Sequence, residues 1–324
     1  MSIELVMLPP QDEITRNWAA SVAGVDGLTV RVAETRSEAL EFLPDADAAF
    51  GTFDPELLAA AGKLRWLQAP MAAPPPGYFF DGLVAHPVEV TNFRGIYNDH
   101  VATHAVAMVL ALARGLHRYA RNQANADWTR HLADSDVLHL PEATAVVIGV
   151  GGIGEEIGRM LHAFGVSVLG VDPQRTDPPE GVHAMHAPED LDSLLPQADI
   201  VVLTLPHTPE SEGLINASRL ALVPAHCLLV NIGRGPTVSL DAVCAALDSG
   251  RLGGVALDVF EVEPLPADSP LWSMPNILVS PHMSGDYVGF EIDMMSVFTD
   301  NLDRWLRDKP LHNVVDPAVG YVPR

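Results

Sequence analysis

Apolar residues fall along the chain in short runs separated by segments with helical spacing, and the runs form two series. The first reads Ile3 to Leu8 (IELVML), Leu28 to Ala33 (LTVRVA), Ala48 to Phe53 (AAFGTF) and Leu64 to Ala69 (LRWLQA), with alanine-rich stretches such as SEALEFL between them. Strand-like runs alternating with helical patterns predict a parallel sheet covered by helices. The second series begins after Leu140 and reads TAVVIGVG, VSVLGVD, ADIVVLTLP, HCLLVNIG, GGVALDVF and NILVSPH. These runs are nearly continuous in apolar residues rather than alternating, as strands buried on both faces are. The pattern predicts an α/β protein with two doubly wound parallel-sheet domains.

Between the series lie a long helix from about Asp99 and the stretch RGLHRYARNQANADWTRHLADSD, read as a hinge helix followed by an exposed arm. The last helical segment, GFEIDMMSVFTDNLDRWLRDKP, follows the final strand. Its expected place is back against the first sheet. One domain then consists of residues 1–98 and 288–324 and the other of residues 99–287.

A length of 324 residues with 48% hydrophobic and 19% charged suits two domains with substantial cores. Forty-two acidic against 19 basic residues give a formal charge of -23, which repels nucleic acid and anionic lipid surfaces. Lysine is nearly absent, with Lys63 and Lys309 alone. Cys227 and Cys244 make no metal-ligand spacing and no disulfide framework, which fits a reducing, cytoplasmic setting. The start, MSIELVMLPPQDE, has no signal-peptide pattern, and the longest apolar stretch, Val101 to Ala113, is short of the roughly 20 residues a bilayer requires. The other histidines, among them His100, His104, His117 and His131, show no zinc-like spacing, so no metal is expected.

The second series opens on the chemistry. Gly149, Gly151 and Gly154 form G-x-G-x-x-G directly after one strand-like run and at the start of a helical pattern. In that context the glycines permit a tight turn, close approach of a pyrophosphate and close helix–strand packing, with the helix N-terminus facing the anion. Gly152 and Ile153 belong to the same cofactor loop. Asp172 ends the next strand, near the spacing at which a carboxylate accepts the ribose hydroxyls, so NAD is favoured over NADP. Arg175, three residues on, is the feature that pulls the other way.

Three further segments end later strands: NIGRGPTV with Arg234, ALDVFEVEPLP with Asp258 and Glu263, and NILVSPHMSG with His282. With the glycine motif, these four ordered segments resemble the D-isomer-specific 2-hydroxyacid dehydrogenase family, strongly from Val88 to about Leu311. The resemblance implies a Rossmann NAD-binding domain inserted into a flavodoxin-like substrate domain. It implies that Arg234 binds the substrate carboxylate and polarises the keto oxygen, that His282 exchanges the proton, and that Glu263 hydrogen-bonds His282. Pro206, Ile232 and Asp258 join the cofactor site on the same grounds. Backbone N–H groups at Ala72 and Ala73 are the corresponding substrate contacts, although the three prolines that follow alter that loop.

The residue types suit the chemistry in their own right. Reducing a 2-keto acid takes a hydride, a proton for the forming alkoxide and a cation against the carboxylate. A carboxylate beside an imidazole favours the proton-donating form, and an arginine fork pairs a carboxylate bidentately. The arm over residues 114–140 resembles the segment that related dimers exchange, which implies a homodimer. The C-terminal binding protein corepressors resemble the same family and act as NADH-responsive scaffolds, which is the alternative to an enzyme. Formate dehydrogenase, another relative, carries glutamine where Glu263 stands.

Overall fold

The first series of runs forms a sheet of five parallel strands: β1 (Ile3–Met7), β2 (Leu28–Val32), β3 (Ala48–Phe50), β4 (Trp66–Gln68) and β5 (Glu89–Thr91), in the order β2-β1-β3-β4-β5. The computed structural model describes residues 3–72, 74–75, 77–130, 137–318 and 322. It divides the chain into two units, Met1–Ile96 with Tyr287–Arg324, and Tyr97–Asp286.

In the first unit, successive β1 residues point to opposite faces. Val6 and Leu8 enter a core with Ala49, Leu67 and Val90, while Leu5 and Met7 enter one with Trp18, Phe50, Trp66 and Phe298. Both faces of the central strands are thus dry, whereas β2 at the sheet edge alternates and leaves Arg31 exposed. The C-terminal helix Phe290–Leu306 does return to this sheet: Phe298 stacks on Trp66 with centroids 5.9 Å apart, and Trp305 also contacts Trp66. Helix starts are fixed by side chains. Asp12 accepts the Thr15 N–H in a capping box before Glu13–Val22, and Asp54 accepts the Glu56 and Leu57 N–H groups before Pro55–Ala60, caps of a kind worth about 1 kcal/mol each.

The second unit holds seven parallel strands: β6 (Thr144–Ile148), β7 (Ser167–Val171), β8 (Ala184–His186), β9 (Ile200–Leu203), β10 (Leu228–Asn231), β11 (Gly254–Leu257) and β12 (Ile277–Val279). Their order is β12-β11-β10-β9-β6-β7-β8. From β6 the chain builds outward through β7 and β8, then crosses to β9 and builds the other way. The C-terminal ends of β6 and β9 therefore flank the switch point, where sheets of this topology bind ligands. Val146, Ile148, Val201 and Leu203 face one buried layer, and Ala145, Val147, Ile200 and Val202 the other.

The helix expected from about Asp99 runs over Asn98–Ala113, and a second, Leu116–Ala124, follows Gly115. Beyond it Trp128 is wholly exposed at 101%. Residues 131–136 of the arm, His131 included, lie outside the described residues. Among the described residues no helix is long and apolar enough to cross a membrane, and no group of three or more metal-ligating side chains occurs.

Candidate active site

Four loops at the C-terminal ends of β6, β10, β11 and β12 carry most of the predicted residues; Asp172 follows β7, Pro206 follows β9, and Ala72 and Ala73 follow β4. After β6 the chain turns through Gly149 into the helix Gly152–Ala163, with Gly151 as its N-cap. A Cβ at Gly154 would overlap the Gly149 carbonyl, so the helix packs onto the turn only because residue 154 has no side chain. Thr204, one residue beyond β9, donates its hydroxyl to the Gly149 carbonyl at 2.6 Å and ties the two sides of the switch point together. At Gly151 the opposite condition holds: nothing lies within 4 Å of where a Cβ would be. An open glycine face at the start of a 12-residue helix fits an anionic group of the kind a dinucleotide pyrophosphate presents.

Asp172 follows β7 and is half-buried against this loop. One carboxylate oxygen accepts the Val150 N–H at 2.9 Å, and the other accepts the N–H groups of Gln174 and Arg175 at 2.9 and 3.0 Å. Arg175 lies at the same place. Its guanidinium pairs with Glu155 at 2.7 Å and reaches the Val150 carbonyl at 3.3 Å. Of the remaining cofactor-loop residues, Gly152 packs against the Asn98 amide, Ile153 is partly buried against the core and Ile232 is 5% exposed within it. Pro206 is exposed beyond β9 and accepts the Ser211 hydroxyl on its carbonyl.

β10, β11 and β12 are neighbours in register, with Asn231 beside Leu257 and Leu257 beside Val279. Their C-terminal loops therefore start side by side. Asn231 braces the first loop, accepting the Gly233 N–H at 3.0 Å and donating to the Arg234 carbonyl at 3.0 Å. Gly235 packs directly on the Phe260 backbone, where any Cβ would overlap the carbonyl. That close approach sets the Arg234 loop against the loop carrying Glu263. Burial lowers the Arg234 guanidinium from its ordinary value, and the charge of Glu263 opposes the shift. A guanidinium stays charged at working pH regardless.

Glu263 uses both oxygens. One accepts the Phe260 N–H at 2.9 Å and the other lies 2.6 Å from His282 Nδ1. Held between backbone and ring, the carboxylate makes Nδ1 the donor, so Nε2 is the ring nitrogen available to a reacting oxygen. The histidine side chain is 49% exposed, open enough to meet a ligand. Its backbone is in the left-handed region, at φ 52°.

Asp258 does something that its assignment to the cofactor site does not cover. Its side chain is wholly buried, and its carboxylate accepts the Ser280 hydroxyl and the N–H groups of Met283 and Ser284. Burial pushes this carboxyl upward, but the hydrogen bonds outweigh it and the group lies below its ordinary value. It anchors the loop that bears His282. Ala72 belongs to the first unit, where its carbonyl accepts the Asn92 amide at 2.9 Å; Ala73 lies outside the described residues.

The positions that sequence reasoning passed over are Thr204, Asn231 and Ser280. Asn231 and Ser280 stand inside the segments that carried the resemblance, but their task is to hold backbone, which no residue spacing announces.

A model of the D-isomer specific 2-hydroxyacid dehydrogenase NAD-binding domain matches residues 106–284, which includes all four loops. The chain belongs to this family. It is 35% identical over 230 residues to glyoxylate/hydroxypyruvate reductase B of Citrobacter koseri, spanning 69% of this chain and 70% of that one. Among solved structures it resembles a family member from Xanthobacter autotrophicus Py2 in complex with NADPH and MES, with a TM-score of 0.82, 30% identity and coverage of 99% and 100% of the two chains. It also resembles the NADPH-dependent glyoxylate/hydroxypyruvate reductase of Sinorhizobium meliloti in complex with NADP and sulfate, with a TM-score of 0.80, 26% identity and coverage of 99% and 100%. Family membership makes the glycine loop part of an NAD(P)-binding domain and the protein an oxidoreductase.

Proposed function

We propose that this protein reduces small 2-keto acids to D-2-hydroxy acids with NADH, reversibly, using His282 as the proton donor. The observation that carries the proposal is the 2.6 Å contact between His282 Nδ1 and a Glu263 carboxylate already fixed by the Phe260 N–H. A bound reduced nicotinamide supplies the hydride. The chain supplies the rest: Arg234 pairs with the substrate carboxylate and draws charge toward the keto oxygen, and His282 Nε2 delivers a proton to that oxygen as it becomes an alkoxide. In the reverse direction the neutral ring takes the hydroxyl proton, and Glu263 stabilises the imidazolium so formed. The relative from Citrobacter koseri, named for glyoxylate and hydroxypyruvate, supports small 2-keto acids as the substrate class.

NAD is proposed over NADP because Asp172 places a carboxylate beside the glycine loop, where it repels a 2'-phosphate, and because the nearest cation, Arg175, is paired with Glu155. A cytoplasmic homodimer formed through residues 114–140 is proposed with it, supported by the full exposure of Trp128. Sedimentation showing a monomer at micromolar concentration would remove the dimer.

The test of the activity is NADH oxidation, followed by nicotinamide absorbance, against 2-keto acids of increasing size with NADPH in parallel. Turnover confined to small acids and faster with NADH is expected. Tight NADH binding without turnover on any of them would favour a scaffold of the corepressor kind instead.

A further inference from the structure

His104 lies on the helix Asn98–Ala113, outside the four motif segments, yet its Nε2 is 3.0 Å from the Ser280 hydroxyl. That hydroxyl in turn is 2.5 Å from Asp258 Oδ1. Asp258 is wholly buried and lies below its ordinary value, so it is an anion that only accepts hydrogen bonds. Ser280 has a single proton, and it goes to Asp258. The Ser280 oxygen must therefore accept from His104, which fixes the His104 proton on Nε2. The chain of donors runs one way, from His104 through Ser280 to Asp258.

What Asp258 holds at the other end is the proton-donor loop. The N–H of His282 meets the Asp258 carbonyl at 2.8 Å, that of Met283 meets Oδ1 at 3.0 Å, and that of Ser284 meets Oδ2 at 3.0 Å. Three consecutive amides converge on one aspartate. Two of them, Met283 and Ser284, meet the carboxylate itself, as successive N–H groups after a left-handed residue meet one anion in a backbone nest. The left-handed residue here is His282 itself, at φ 52°, a conformation that a non-glycine residue keeps only where its surroundings enforce it. The rotation of the Asp258 carboxylate thus sets the backbone from which the imidazole projects.

We propose that His104 and Ser280 are positioning residues for His282: by committing the Ser280 proton to Asp258 they hold the carboxylate in the rotation that the Met283 and Ser284 N–H groups, directly after His282, require. The helix carrying His104 is a firm base for this, since Val101, Ala105 and Val109 on it are buried in the core of the second unit. The inference rests on His282 being the proton donor.

The experiment compares His104→Phe, His104→Gln, Ser280→Ala, Ser280→Thr, the double variant His104→Phe/Ser280→Ala and His282→Ala. Each is measured for kcat and KM on glyoxylate, for NADH affinity by fluorescence titration and for its thermal transition. His104→Phe and Ser280→Ala should each lower kcat about tenfold, a part of the roughly 100- to 10,000-fold that a positioned acid provides, while KM and NADH affinity stay close to those of the parent. His104→Gln, whose amide donates from nearly the place of Nε2, and Ser280→Thr, which keeps the hydroxyl, should recover most of the loss. The double variant should be no slower than Ser280→Ala, because both changes cut one chain.

Parent-like kcat in His104→Phe, failure of the Gln variant to recover activity, or multiplied losses in the double variant would overturn the proposal. If His104→Phe does not fold, the Ser280→Ala and Ser280→Thr pair decides, with equal losses overturning it. His282→Ala separates the two levels: persisting turnover removes the proton-donor reading itself, whereas lost turnover with an unaffected His104→Phe removes only the positioning role.

Discussion

His282 Nδ1 and Glu263 Oε2 lie 2.6 Å apart, and the remaining oxygen of that carboxylate is held by the Phe260 N–H. The carboxylate cannot swing away from the ring without breaking a backbone hydrogen bond as well, and while the contact holds the ring is presented with Nε2 outward. Replacing Glu263 by Gln keeps a hydrogen-bonding side chain but removes the charge that stabilises the imidazolium. Glu263→Gln should lower kcat for keto-acid reduction by about 10- to 100-fold, and His282→Ala by about 100- to 10,000-fold. Nicotinamide fluorescence titration should show unchanged NADH affinity in both. A loss of NADH binding equal to the loss of turnover would mean that the pair serves the cofactor and not the proton.

Arg234 is the cation of the site, and its position depends on a glycine. Gly235 rests on the Phe260 carbonyl, which sets the guanidinium where the charge of Glu263 acts on it. Lysine in its place would keep a charge but lose the planar fork that meets both oxygens of a carboxylate. Arg234→Lys is expected to raise KM for the keto acid by about 10- to 100-fold, as loss of a charge-assisted hydrogen bond of roughly 1.5–3 kcal/mol implies. Steady-state kinetics on one keto acid at saturating NADH checks this. An unchanged KM with intact kcat would show that the substrate carboxylate is held elsewhere.

Asp258 makes a prediction about stability and pH. Burial alone would raise its carboxyl, but hydrogen bonds from Ser280, Met283 and Ser284 prevail and the folded-state value is lowered. A group lowered on folding adds stability above its unfolded value, about 3.9, and that stability is lost as the pH falls through the folded value. Asp258→Asn turns an acceptor into a donor facing buried N–H groups, a loss of about 1–3 kcal/mol at neutral pH. In urea titrations the midpoint of the variant should lie below that of the parent at pH 7, and the gap should narrow below about pH 4, near the unfolded carboxylate value. A gap that is constant with pH would show that the anion is not what holds the loop.

The parts of this architecture that could be read from sequence are those with a repeating apolar signal. Ten of the twelve strands, counted from the chain order, come from runs long and dry enough to announce themselves. β5 and β8 escaped because neither is a continuous apolar run: β5 reads EVT, and β8, a partly exposed edge, reads AMH. The run to Phe53 was too long because Gly51, at φ 136°, turns the chain just after β3. At the site, Arg234, Glu263 and His282 stood out through the ordered segments that carry the family resemblance, and the structure joins Glu263 to His282. The contact of His104 with Ser280 was not legible, since the two are 176 residues apart and only the packing of the Asn98–Ala113 helix on the sheet brings them together.

The proposed preference for NAD rests on Asp172. Its carboxylate holds the Val150, Gln174 and Arg175 N–H groups, and on the proposed reading it also faces the adenosine ribose of the dinucleotide. Arg175 is beside it, paired with Glu155 at 2.7 Å. Asp172→Ala removes the repulsion, so the ratio of NADPH to NADH affinity should rise by about tenfold or more, the factor that 1.4 kcal/mol represents. Some affinity for NADH should be lost as well, because the turn that follows β7 loses its acceptor. Titrating 5'-AMP and 2',5'-ADP against parent and variant reads the adenosine end alone, without turnover. A parent that already binds 2',5'-ADP more tightly would reverse the NAD assignment; a variant with an unchanged ratio would move the discriminating charge away from Asp172.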